Sequence, residues 1–332
     1  MIKILAAALA LAVALPAAAQ GKIRFLHEWR FEGHVAPFLV ALDKGHFKAE
    51  GVDVSIDAGT GSLDSINRVA SGAYDMSIAD INSLIRYRDN PANVPLKAVM
   101  MVYESPPFAI LTLRKNNIRH PKDLEGRVLG APAADGAWAQ FPILARLNNV
   151  DMSKVRVDNV GFPVREALLA QGKVDAVTAF GSNALALRAN NIPEEEIVVL
   201  MMRRFGLELY GSAILAHPDV MKNQPKAVAG FVRGLIRGFQ DTHRDPEGAI
   251  DILMKRNPIA KRDIELARLK LVMQQSYFTD EVKSAGFGGV DMKRLERSID
   301  QLGIAFNFTN RPKAADVFTA EFLPPREARL IK

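Results

Sequence analysis

The residues best suited to chemistry in this chain are two aromatic side chains and the polar groups spaced around them. Trp29 and Trp138 are its two tryptophans, and each falls where a predicted strand gives way to a helix. A tryptophan there offers a flat apolar face, and a stacked aromatic partner adds roughly 0.5–1.5 kcal/mol beyond the area buried. Trp29 follows its strand and is expected at a pocket; Trp138 fits either a pocket or the core. His34 can donate or accept one hydrogen bond, with the tautomer set by its other nitrogen, or it can simply cap the helix. Gly59, Thr60, Gly61 and Ser62 place backbone N–H groups and hydroxyls at a helix start, suited to an anionic or carbonyl group; ordinary N-capping is the alternative. Asp135 and Gly136 form the corresponding turn farther on, where the carboxylate favours a ligand bearing an amino or ring N–H donor. Asp80, Tyr103, Ser105, Asn183, Glu208 and Tyr210 lie near other predicted strand ends, as do Glu32, Asn82 and Glu104. A few of these are expected to reach a ligand, since most acidic side chains are merely solvated.

Covalent chemistry has little to build on. There is no G-x-S-x-G elbow, no H-E-x-x-H, no phosphate-binding P-loop and no G-x-G-x-x-G after a strand. The six histidines are scattered, without metal-ligand spacing to Asp or Glu. No catalytic residue, metal or cofactor is expected, so the chain reads as a binding protein rather than an enzyme.

The elements that must position these residues alternate between strand and helix. Ile23 to Trp29 reads as a strand, Val35 to Phe47 as an apolar helix ended near Gly45, Val52 to Ile56 as a strand, and Ser62 to Val69 as a helix. This β-α-β-α order implies a mostly parallel sheet with ligands at the carboxyl ends of its strands. A glycine, two residues, an aspartate and a short apolar strand occur twice, as Gly72–Asp75 and Gly172–Asp175. The glycine suits a left-handed helix cap and the aspartate a turn role, and the repetition points to two similar α/β lobes. Strands are expected at 96–102, 108–113, 127–131, 155–160, 175–180, 196–202 and 211–215, and a helix over 135–147. The region after His217 reads as helical, with helices over 226–243, 246–256, 263–275 and 291–302. The chain crosses between lobes within 96–114 and returns over 205–211. Two crossings make a hinge, which suits closure on a small ligand.

Residues 1–19 read as an export signal: Lys3, an apolar run from Ile4 to Leu15, and Ala17 to Ala19 as the cleavage site. The apolar run is too short to span a bilayer core of roughly 30 Å. The chain has no cysteine, which removes disulfides, a lipid-anchor cysteine and thiolate chemistry. Loss of Lys3 takes the net charge from +6 to +5. The basic residues form no aromatic-interleaved stripe, so no nucleic-acid partner is expected. The mature chain of roughly 310 residues has room for two lobes, and its expected place is the periplasm.

The ensemble of Trp29…His34-x-x-Pro37…Gly45-x-Phe47-x-x-x-Gly51-x-Asp53, Gly59 to Ser62, Ala70-x-Gly72-x-x-Asp75, Ser105 to Phe108, Pro121-x-Asp-Leu-x-Gly126 and Tyr210-Gly211 resembles the periplasmic solute-binding proteins of ABC importers, type II. The branch is the one that includes binders of thiamine-pyrimidine precursors, taurine, other sulfonates and riboflavin. The resemblance implies two α/β lobes, each a mostly parallel sheet flanked by helices, joined by a two-crossing hinge. On that reading residues 20–110 with 212–332 form the first lobe and 111–211 the second. It also implies capture of a small molecule in the cleft and delivery to an ABC transporter permease in the inner membrane, the receptor itself not spanning the membrane. The pairing of Trp29 with His34 is more like the pyrimidine-precursor binders, which makes a nitrogen heterocycle the expected ligand and taurine or an alkanesulfonate the alternative. The family also contains eukaryotic pyrimidine synthases that use a cysteine-rich iron motif, and this cysteine-free chain departs from that pattern.

Overall fold

A computed structural model describes residues 21–331; the predicted export signal lies outside the described residues. Ten strands alternate with helices: β1 (Gly21–His27), β2 (Val52–Ala58), β3 (Met76–Asp80), β4 (Lys97–Met101), β5 (Phe108–Leu113), β6 (Val128–Ala131), β7 (Arg156–Asn159), β8 (Ala176–Phe180), β9 (Ile197–Met201) and β10 (Ser212–Ala216). They build two five-stranded sheets, ordered β2-β1-β3-β10-β4 and β7-β6-β8-β5-β9. The two orders match position for position. In each sheet a parallel trio (β2, β1, β3 or β7, β6, β8) is followed by one reversed strand, β10 or β5. The reversed strand is in both cases the first one after the chain has crossed from the other sheet. Strand burial follows position: edge strand β2 alternates, with Val52, Val54 and Ile56 inward, whereas β3, β5, β8 and β10 are buried at every residue, as expected of strands covered on both faces.

The duplicated glycine–aspartate device serves these sheets. Gly72 and Gly172 adopt φ of 75° and 69°, a left-handed conformation that favours glycine. Asp75 then accepts from Arg24 N at 2.7 Å, and Asp175 from Val128 N at 2.8 Å. Each aspartate immediately precedes its strand and holds the neighbouring parallel strand in the same register, a structural role in both halves.

The crossings are 102–107 and 202–211. A boundary placed between residues 110 and 111 would cut β5, which pairs along its length with β8 and β9; the division falls before Phe108. The C-terminal helices cover the first sheet and also reach the second. Pro225–Arg244 packs on Ala36–Asp43, placing Phe231 5.0 Å from Phe25 between helix and sheet. The expected helix over 263–275 is Arg262–Val272 running into a π-helical turn, Met273–Tyr277. Such turns are rare and concentrate at functional sites. The helix leading into this one, Arg262–Val272, packs against the Gly181–Asn183 turn and the helix Ala184–Ala189.

Candidate functional site

The carboxyl ends of β1 and β3 meet those of β6 and β8 across a buried seam. On the first-sheet side, β1 ends at His27 and is followed by Glu28 and Trp29, both buried. Ser62 Oγ donates to Glu28 Oε2 and accepts from Asp80 N at 3.1 Å. The carboxylate nearest the helix Ser62–Ala70 is thus the protein's own, so this turn is not a ready anion cradle. Its N-cap is Gly61, not Ser62 or Thr60. Burial pushes the Glu28 carboxyl up to about 7, with the nearby Ser212 and Ser62 hydroxyls opposing and the Asp80 and Asp135 charges reinforcing. Asp80 caps the helix Ile81–Arg88, accepting from Asn82 and Ser83. Burial raises it to about 6.

Next along the chain, the Trp29 indole N–H donates to Glu32 Oε2 at 3.1 Å. Glu32 also faces Arg30 at 2.5 Å and Arg268 at 3.1 Å. Burial alone would raise this carboxyl, but Arg268 and then Arg30 outweigh it and hold Glu32 at about 2. Arg268, itself 3% exposed, donates to Glu265, whose carboxylate also receives Gly33 N at 2.6 Å. His34 is buried with neither ring nitrogen bonded, and desolvation lowers it to about 4; it is neutral at pH 7. The π-turn directs the Tyr277 hydroxyl to His34 O at 2.8 Å and to the Tyr103 hydroxyl at 3.0 Å. Burial raises both phenols, so they stay protonated.

On the second-sheet side, Asp135 caps the helix Gly136–Leu147 through Ala137 N and accepts from Thr178 Oγ1 at 2.9 Å. Burial raises it, opposed first by Arg165. Arg165, 1% exposed, donates Nε and Nη2 to Glu166 and holds Nη1 3.7 Å from Asp135, too far for a hydrogen bond. Its guanidinium lies 5.5 Å from the Trp29 ring centroid and 5.7 Å from Phe162. Trp29 stacks on Phe180 at 5.9 Å and 16° and meets Phe162 edge-on at 4.5 Å. Asn183 accepts from Phe180 N, fixing the end of β8.

The two sides touch directly. Gln140 Nε2 donates to Asp80 Oδ2 at 2.6 Å. A Cβ on Gly136 would stand 3.2 Å from both Asp80 and Ser62, and one on Gly61 (φ 115°) would come within 2.5 Å of Ala134 O. Gly59 is similarly pressed on the carbonyl of His27. Buried polar atoms are paired in about nine of ten cases or more. In this one seam Glu28 Oε1, both His34 nitrogens, Asn82 Oδ1, Gln140 Oε1 and Arg165 Nη1 have no hydrogen-bond partner.

Of the residues expected from sequence, Trp29, His34, Gly61, Ser62, Asp80, Tyr103, Asp135, Gly136 and Asn183 converge on this seam, with Gly59 behind it. Four do not. Trp138 is half-buried and stacks on its helix neighbour Phe141 at 5.6 Å; Trp29's partners are Phe162 and Phe180. Thr60 is exposed and bonded to Asp64. Ser105 accepts from Arg203 at 2.7 Å, and Glu208 is exposed, both at the hinge. Tyr210 likewise joins the hinge: its hydroxyl donates toward Glu281 and accepts from Asp291 N, with Arg294 over its ring. Glu28, Phe162, Arg165, Phe180, Arg268 and Tyr277 were not singled out. Phe180 had a signal, since it ends its strand where Asp80 ends the matching one in the duplicated device.

A family profile described as NMT1/THI5 like matches residues 32–249. The chain belongs to this NMT1/THI5-like family. Among relatives, it is 27% identical over 298 residues to the riboflavin-binding protein RibY of Chloroflexus aurantiacus, covering 87% of this chain and 82% of that one. It is 25% identical over 305 residues to the formylaminopyrimidine-binding protein of Halalkalibacterium halodurans, covering 89% and 88%. Other relatives are named 4-amino-5-hydroxymethyl-2-methylpyrimidine phosphate synthase, one from Legionella pneumophila at 21% identity over 92% of this chain and 93% of that one. Among solved structures, the alkanesulfonate-binding protein SsuA of Xanthomonas axonopodis pv. citri, bound to MOPS, superposes with a TM-score of 0.71 at 15% identity, covering 91% of this chain and 99% of that one. That likeness establishes the fold, the one shared by periplasmic binding proteins.

Proposed function

We propose that this protein is the periplasmic receptor of an ABC importer, and that its two sheets act as lobes closing on a small nitrogen heterocycle of the aminopyrimidine kind. The observation that carries the ligand class is the charge arrangement of the seam. Each fully buried arginine already faces two carboxylates: Arg165 has Glu166 and Asp135, and Arg268 has Glu32 and Glu265. Glu28 and Asp80, in contrast, have no basic partner, and Glu28 keeps an unpaired oxygen. An anionic guest would meet guanidinium groups each already balanced by two carboxylates, whereas a guest with N–H donors and a flat apolar face can pair with Glu28 and pack against the Trp29, Phe162 and Phe180 cluster when the lobes part. The relatives named for riboflavin and formylaminopyrimidine agree with this reading. Delivery to a permease and export by residues 1–19 belong to the same proposal. Among the described residues no helix is long and apolar enough to cross a membrane.

Tryptophan fluorescence of the mature protein, titrated with aminopyrimidines, flavins, taurine and alkanesulfonates, tests this. Saturable quenching by a heterocycle that disappears in Trp29→Ala, which retains Trp138 as a reporter, is expected. A response to sulfonates alone would replace the ligand class. Turnover of a pyrimidine substrate would replace the receptor by an exported enzyme.

A further inference from the structure

Ser105 and Glu208, which the sequence placed beside the cleft, border a separate cavity. The two crossings and the helix Met292–Ala305 enclose about 260 Å³, lined by Ser105, Arg203, Leu207, Glu208, Arg294 and Arg297 among others. We propose that this hinge cavity binds a small oxyanion, namely a carboxylate, phosphate or sulfate.

Three guanidinium groups line the cavity against one carboxylate, Glu208, which is exposed. Their commitments differ. Arg294 is used up as a hinge staple: it pairs with Glu104 and Glu281 and donates Nη2 to the carbonyls of Glu104, on one crossing, and Leu209, on the other. Arg203 engages only through Nη1, donating to Ser105 Oγ at 2.7 Å and Gln275 O at 3.1 Å. Both acceptors are neutral, and Nε and Nη2 remain as an open pair of donors. Arg297 makes no hydrogen bond or ion pair among the described residues. A planar guanidinium presents parallel N–H groups that match an oxyanion's two oxygens. Arg203 belongs to the returning crossing and is tethered to Ser105 on the outgoing one, so an anion held by Arg203 and Arg297 ties both crossings to the helix Met292–Ala305. That helix packs against Gly136–Leu147 of the second sheet's side. Such an anion would bias the hinge without entering the seam, and this inference stands whatever the seam binds.

Calorimetric titration of the mature protein with inorganic phosphate, at ionic strength held constant with chloride, tests the assignment; sulfate and acetate arms define the anion class. One saturable phosphate site per chain, weakened at least tenfold in Arg203→Gln/Arg297→Gln and unchanged in Trp29→Ala, is the expected result. Arg297→Gln alone, at an exposed side chain without a partner, should weaken binding severalfold and guards against misfolding of the double variant. Absence of saturable binding of phosphate, sulfate and acetate would overturn the proposal. So would phosphate binding that survives both arginine variants, or that is lost in Trp29→Ala.

Discussion

Two aspartates cap two helices on opposite sides of the seam, and their surroundings turn one device to different ends. Asp80 closes β3 and gathers neutral donors: the amides and side chains of Asn82 and Ser83, and then Gln140 from the other side. Asp135 sits after β6, takes the Thr178 hydroxyl, and faces the Arg165 guanidinium. The first carboxylate therefore links the two sides, while the second helps hold a cation beside Trp29. The difference teaches that a helix-cap aspartate at a strand end is scaffold in both places, and that the polar group it supports is what varies.

The strongest way to break this contrast is at Arg165. Arg165→Ala leaves Glu166 and Asp135 buried without their cation, and removal of one member of a buried ion pair costs about 3–5 kcal/mol. Urea unfolding should register that loss; a change below about 1 kcal/mol would mean Asp135 and Glu166 do not depend on Arg165. Asp80→Ala removes a cap and leaves the Gln140 amide unpaired, for about 2–3 kcal/mol. Gln140→Leu should lose less, because the cap survives; equal losses would mean the link across the seam outweighs the cap.

Acidity sharpens the comparison further. Glu28 and Asp80 have folded pKa values raised to about 7 and about 6 from ordinary values of 4.5 and 3.8. The folded state holds these protons more tightly than the unfolded chain, so their stabilisation is present at low pH and fades as pH rises through those values. Glu32, held at about 2, behaves oppositely: its contribution is present above 4.5 and lost as pH falls. Glu28→Gln cannot ionise and should gain unfolding midpoint relative to the wild type between about pH 4.5 and 7. Parallel curves would place the Glu28 proton elsewhere. The smallest effect belongs to Thr60→Ala, an exposed change expected within about 0.5 kcal/mol and without consequence for ligand affinity.

Much of the fold was legible because its signals are local. Glycine caps, the repeated Gly-x-x-Asp device, and the change from alternating β2 to mostly apolar β3 and β10 can all be read within a few residues. Trp29, Asp80 and Asp135 were legible for the same reason, each standing at a strand-to-helix turn. Arg165, Arg268 and Tyr277 were not. Arg268 and Tyr277 lie in helical segments whose sequence neighbours look like ordinary surface or core, and only the long-range packing of Arg262–Val272 and the π-turn brings them to the seam. Arg165 opens a short helix on the second sheet's side and is marked only by its contacts with Asp135, Glu166 and Trp29. Trp138 misled because the position was right but the rotation was not: three residues past the Asp135 cap, it faces Phe141 rather than Trp29. Ser105, Glu208 and Tyr210 also sit near strand ends, but on the crossings, where the same rule marks a hinge.

The central claim is that the seam around Trp29 and Glu28 holds a neutral or protonated nitrogen heterocycle. Calorimetry of the mature protein with an aminopyrimidine and with an alkanesulfonate, for the wild type, Glu28→Gln and Thr60→Ala, addresses it directly. One heterocycle per chain, weakened at least tenfold by Glu28→Gln and untouched by Thr60→Ala, with no sulfonate binding, is the expected result. Sulfonate binding that Glu28→Gln leaves intact or strengthens would contradict the account.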